Sequence, residues 1–113
     1  MTEREVLAEL AVELWKLQRA LERTNRDLPP ERQGKVSAQL RYSSRQLAGL
    51  LEQAGLRLAT FDNEEFSAEL PVTPLNAEDL SGAQTCYIET MLEPAVVASG
   101  ATIRIGKVIL RGA

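Results

Sequence analysis

With 113 residues the chain holds one domain, or a helical segment joined to one small domain, and a monomer of that size buries only a limited core. Hydrophobic residues make up 44% and charged residues 26%, an ordinary balance for a globular chain. A net charge of −3 with no basic block disfavours nucleic acid as a partner. The single cysteine, Cys86, has no internal disulfide partner, and no stretch approaches the ~20 apolar residues that span a bilayer. No membrane partner is expected. The opening MTEREVLAEL carries acids where a signal peptide carries bases, so the expected location is cytoplasmic.

Residues 2–27 read as a helix. Thr2 and Glu5 have capping-box spacing, in which the hydroxyl accepts from a free amide and the carboxylate reaches back to the cap residue. Glu3, Glu5, Glu9 and Glu13 come early and Lys16, Arg19, Arg23 and Arg26 late, an order that complements the helix dipole. Leu7, Leu10, Leu14, Leu17, Leu21 and Leu28 follow an alternating three-and-four spacing broken only at Thr24, the pattern of one continuous seam. Val6, Ala11 and Trp15 widen the stripe. It packs either against the next helix or against a second chain. Two chains pooling their stripes into four helices is the preferred reading, because a lone hairpin leaves much apolar surface wet.

Asp27-Leu28-Pro29-Pro30 reverses the chain, since proline restricts the residue before it and fits the first turn of a following helix. The second helix is expected from Pro30 or Glu31 to Ala54, with Gly55 as its left-handed stop. Its apolar face holds Val36, Leu40, Leu47, Leu50, Leu51 and Ala54; Leu40 and Leu47 join Leu7, Leu10, Leu14, Leu17 and Leu21 as the expected dimer contacts. Gly34, Ser43, Ser44 and Gly49 make it dependent on packing. Arg41, Tyr42 and Arg45 read as a solvated edge with a half-buried tyrosine; holding an acidic partner is the other reading.

Beyond Gly55 the period shortens. Leu56, Leu58 and Thr60 alternate as in a half-buried strand, and Phe61-Asp62-Asn63-Glu64-Glu65-Phe66 reads as an acidic turn with two aromatic anchors. Leu70-Pro71-Val72-Thr73-Pro74-Leu75 suits an edge strand, because proline cannot donate to a ladder. Asn76 is placed to cap one helical turn over 77–80. A meander then follows in three runs, 85–91, 96–97 and 102–110, with chain reversals expected at Glu93-Pro94 and at Ser99-Gly100. Gly106 inside the last run points to a bulge or a close backbone approach.

The segment Gly100-Ala101-Thr102-Ile103-Arg104-Ile105-Gly106-Lys107-Val108-Ile109-Leu110 resembles the C-terminal signature of GrpE-type nucleotide exchange factors. Tyr87-Ile88-Glu89-Thr90-Met91-Leu92-Glu93-Pro94 sits where that family carries a Val-x-Glu-Val-Leu-like strand. Gly55 and Phe61-Asp62 echo the family's layout after its helix, whereas its His-Glu-Ala element has no counterpart in a chain without histidine. The resemblance implies a parallel dimer of helices bearing small β-domains and a DnaK-type chaperone ATPase as partner. It also implies contacts on the β-domain through Arg104, Lys107 and Leu110, with Ala101 beside them. Arg104 matches the family's internal arginine, and Ala101 stands where relatives carry a longer side chain. Read without the resemblance, Arg104 is an outward strand position paired with Glu89 or Glu93, Lys107 an edge charge that blocks aggregation, and Leu110 part of the core.

Catalysis finds little support in these residues. A nucleophile needs a neighbouring base, most often histidine, and imidazole or paired-thiolate metal sites are ruled out by composition. Asp62, Glu64, Glu65 and Glu69 read as a solvated loop, and no glycine-rich phosphate loop opens a helix. No cofactor and no enzymatic activity are expected. The expected fold is α+β: a helical hairpin over 1–55 with a leucine seam, then a small, mostly antiparallel β-domain over 56–113. The expected function is GrpE-like exchange on a chaperone, or, alternatively, a dimeric scaffold that binds some other protein.

Overall fold

The computed structural model describes residues 1–82 and 84–112 and has the α+β architecture the sequence implies. Helix α1 spans Glu3–Asn25 and α2 spans Pro30–Gln53. The capping box of α1 is formed: Thr2 Oγ1 accepts from Glu5 N and Glu5 Oε1 accepts from Thr2 N, both at 3.1 Å. Pro30 opens α2 without a side-chain cap, and Gly55, at φ +74°, releases the chain from it. Among the described residues no helix is long and apolar enough to cross a membrane.

Six strands follow: β1 Leu56–Ala59, β2 Val72–Pro74, β3 Cys86–Glu93, β4 Ala95–Ala98, β5 Ala101–Arg104 and β6 Gly106–Gly112. They form two three-stranded sheets, ordered β1-β4-β5 and β2-β6-β3, in which only β2 with β6 runs parallel. The last four strands are one long hairpin that turns at Gly100 (φ +73°) and bends midway. Its near half joins the first sheet and its far half the second.

The bend corrects two expectations: Glu93-Pro94 does not reverse the chain but only bends one arm between β3 and β4, and the single run over 102–110 breaks at Ile105 into β5 and β6 in different sheets. Pro94, fully buried, has no N–H with which to continue the ladder on one arm. Opposite it, Gly106 is pressed so closely that a Cβ would lie 2.7 Å from Glu93 O and 2.8 Å from Ala95 N. The close approach expected at Gly106 is therefore the packing of one arm of the bent hairpin on the other. Strand β2 is an edge strand, as its prolines require. Asn76 does not cap the helical turn Ala77–Leu80. Its amide instead accepts from Leu110 N at 2.8 Å and donates to Leu110 O at 2.9 Å, standing in for one more residue of the edge strand.

Two apolar clusters hold the elements together, and α1 belongs to both. Ala8, Ala11 and Val12 pack with Leu47 and Leu51 of α2 and with Leu56 and Val96 of the first sheet. Trp15, one turn further, packs with Val72, Ile88, Met91, Val108 and Leu110 of the second. Residue 55 is thus a boundary of secondary structure and not of packing. Leu47, expected at a dimer seam, is inside the first cluster, because α2 turns it toward Ala8 and Val12.

The overall shape is flat, 46 × 38 × 19 Å, with a radius of gyration of 15.9 Å. A compact chain of this length would have about 13 Å. Adding a methyl at Gly106 forces backbone apart at the bend, so Gly106→Ala is expected to lower stability by about 2–3 kcal/mol in urea titration. Gly49→Ala, where a Cβ meets nothing within 4 Å, is expected to leave stability unchanged or raise it by up to ~1 kcal/mol.

Candidate interaction surfaces

The bend carries a charge cluster that ties the sheets to α1. Glu93, the residue before Pro94, has a side chain only 11% exposed, and it accepts from Arg104 Nη1 at 2.9 Å and Lys16 Nζ at 3.1 Å. Arg104 Nε donates at the same time to Glu9 Oε1 at 2.8 Å, and Lys107 Nζ lies 3.9 Å from Glu93. Burial by itself would raise the Glu93 pKa. The hydrogen bonds from Arg104 and Lys16 and the charges of Arg104 and Lys107 outweigh it and hold the carboxyl below its ordinary value. Arg104 is raised in turn, led by its bond to Glu9, and Lys16 is raised, led by a further bond to Glu13 at 3.1 Å and then by that to Glu93.

This cluster decides what the expected contact residues can do. Arg104 is turned inward onto Glu9 and Glu93, so its guanidinium is already engaged within the chain. Leu110, 5% exposed, is a core residue of the second sheet and offers no surface to a partner. Lys107 and Ala101 remain on the outside. Strand alternation puts Gly106, Val108 and Leu110 inward and Ile105, Lys107 and Ile109 outward. Ile105, 55% exposed, is thus an outer-face residue, one that was not among the expected contacts.

A second surface lies on α1. Leu7, Leu10, Leu14, Leu17 and Leu21 are 42%, 62%, 37%, 66% and 42% exposed. At 3.6 residues per turn they occupy one sector of about 80° and run for about 21 Å. The adjacent sector, with Ala8, Ala11, Val12 and Trp15, faces the core. Small side chains let the helix approach the sheet closely, and the leucines are left on the rim. Leu40 of α2 is half-buried.

The distal half of the hairpin is joined by polar contacts. Gln18 Nε2 donates to Ser43 Oγ at 2.8 Å, and Asn25 Nδ2 to Ser37 Oγ at 3.0 Å, while Asn25 Oδ1 is buried without a partner. Arg41 and Arg45 line an open groove above these contacts; Tyr42, expected half-buried, is 55% exposed. Asp62, Glu64, Glu65 and Glu69 are all exposed, and Cys86 is half-buried. Among the described residues no group of three acidic, histidine or cysteine side chains is placed to hold a metal ion.

Comparison with known proteins returns no match: no family model, no curated protein and no solved structure aligns with this chain.

The charge cluster makes a pH prediction. A carboxyl whose folded-state pKa lies below its ordinary 4.5 contributes fully above that pH and loses its contribution as pH falls through the lowered value. Glu93→Gln is expected to cost about 1–2 kcal/mol at neutral pH, because the nearly buried carboxylate loses its charge-assisted bonds while Arg104 keeps only Glu9 and Lys16 only Glu13. The gap between the variant and the parent should close in denaturation series run below the lowered pKa.

Proposed function

We propose that this chain is a homodimeric protein-binding module in which paired hairpins carry two β-domains, and that it acts as a GrpE-like exchange factor on a DnaK-type chaperone ATPase. The observation that carries the reading is the leucine stripe. Contiguous apolar patches of this kind are uncommon on monomers, and a second copy is the occupant that a self-complementary seam suits best. The flat shape and the partition of α1 into a core face and a leucine face support the same assembly. The resemblance over residues 87–94 and 100–110 supports the chaperone, since both segments fall on the one bent hairpin that supplies β3 to β6.

In this reading the protein breaks and makes no bonds. It grips the nucleotide-binding domain in an open form, and its effect is bounded by how much more tightly it binds open than closed. The contacts come from the outward residues Ala101, Ile105 and Lys107. Arg104 acts by holding the bend in shape, through Glu9 and Glu93.

The alternative keeps the dimer and changes the partner: a scaffold whose β-domains bind another protein. ADP release from a DnaK-type chaperone, followed with a fluorescent nucleotide, separates the two. Acceleration, together with binding weakened by added ADP, is the expected result, because the coupling is reciprocal. No acceleration and no binding would leave the scaffold.

Assembly has its own test. Leu10→Asp with Leu17→Asp changes two largely exposed positions, so the protomer should keep its helicity while sedimentation shifts from dimer to monomer. An unchanged sedimentation profile would move the interface elsewhere.

A further inference from the structure

The strand edge of β3 and the basic side of α1 face each other across a groove of about 420 Å³, walled by Lys16, Arg19, Arg23 and Arg26 on the helix and by Thr90 to Leu92 on the strand. We propose that this groove binds an extended acidic segment of a partner protein, which adds to β3 as a further strand.

Strand β3 is the outer member of the order β2-β6-β3, so one of its edges is free of any ladder. The loop before it covers the first part of that edge. Asn63 N donates to Ile88 O, Ile88 N to Glu64 O and Phe66 N to Cys86 O, at 2.8 to 2.9 Å. Past Ile88 the cover stops. Among the described residues no backbone hydrogen bond reaches the outer edge of Glu89 to Leu92. The open stretch is about 13 Å long, enough for a short strand. The helix runs beside it for about 15 Å from Lys16 to Arg26.

Charge selects the occupant. The groove walls carry four cations and one acid, Glu22, although the chain as a whole is at −3. Lys16 is engaged by Glu13 and Glu93, and Arg19 by Glu22. Arg23 and Arg26 form no ion pair among the described residues, so the distal end of the groove holds uncompensated positive charge. Leu92, 38% exposed, adds an apolar contact on the strand side. An acidic chain with alternating apolar residues meets all three demands: backbone pairing with β3, carboxylates for the arginines, and side chains for Leu92. Register shifts in β3 fall at Glu89 and at Leu92, the two end residues of the open stretch, so an added strand pairs mainly along Thr90 and Met91, and such bulges turn an edge away from indiscriminate pairing. This inference does not rest on the exchange-factor reading, and a failed nucleotide-release assay leaves its test intact.

Trp15, the single tryptophan, lines the groove with the Arg19 guanidinium 4.9 Å from its ring centre, so its fluorescence reports occupancy. The probe is a short capped peptide alternating Glu with Val. A saturable change in emission is expected, weakened about tenfold or more by Arg23→Glu with Arg26→Glu and weakened by added salt. Both arginines are exposed, and unchanged circular dichroism verifies that the variant is folded. The same peptide N-methylated at alternate residues, which removes backbone donors and keeps the charge, should lose binding. Three results would overturn the proposal: no saturable change with the acidic peptide, equal binding of the N-methylated peptide, or equal binding by the reversed-charge variant. A single-stranded oligonucleotide that displaces the peptide at lower concentration than the peptide itself would assign the groove to phosphate and overturn it as well.

Discussion

The fold turns on a carboxylate held almost out of water. Glu93 stands where the hairpin passes from one sheet to the other, next to a proline that cannot extend the ladder and against a glycine whose backbone touches its own. A lone buried carboxylate there would be costly. Arg104 from the opposite arm and Lys16 from α1 offset that cost, and Arg104 extends the link to Glu9. One cluster thereby joins three elements distant in sequence. Pairs of this kind add little net stability compared with well-packed apolar side chains, yet removing one partner leaves the others stranded. The cluster is best understood as fixing the angle between sheet corner and helix.

Helix α1 is the second organising element, because its two apolar stripes have different tasks. The stripe of small residues and Trp15 is committed to the two clusters that bind both sheets and α2. The leucine stripe lies alongside it and stays between a third and two thirds exposed in the protomer. A flat molecule with a thin core gains most by covering such a face, and that is the physical argument behind the proposed dimer. The polar contacts that close the distal hairpin, Gln18 with Ser43 and Asn25 with Ser37, specify the register of the two helices with little apolar burial of their own.

Local signals were legible where a single residue type leaves few options. The capping box at Thr2 and Glu5, the proline start and glycine end of α2, the edge character of β2 and the crowding at Gly106 were each readable from spacing and stereochemistry. Legibility failed where two structures share one pattern. The β-prone run over 102–110 has the same composition whether it is one strand or two, and only Pro94 packed against Gly106 breaks it at Ile105. Asn76 reads as a cap, but its amide finds Leu110, 34 positions away, which no local pattern could reveal. Arg104 reads as an outward strand position paired with Glu89 or Glu93; the bond to Glu93 is formed, but by a side chain that turns inward. Its second bond, to Glu9, had no sequence counterpart.

By itself the amino-acid order determined the alternation of elements: two helices, a reversal at the prolines, and then short strands, all of which follow from propensity, period and turn chemistry over a few residues. It also marked a leucine stripe on α1 without saying which way that stripe would face. Tertiary structure alone decided that the small residues go inward and the leucines outward, that α1 serves both sheets, and that Arg104 and Leu110 are spent on the fold while Ile105 and Lys107 are left outside. Those choices depend on which surfaces fit together at contact distance across many residues of separation, and periodicity along one element carries no information about its neighbour's shape.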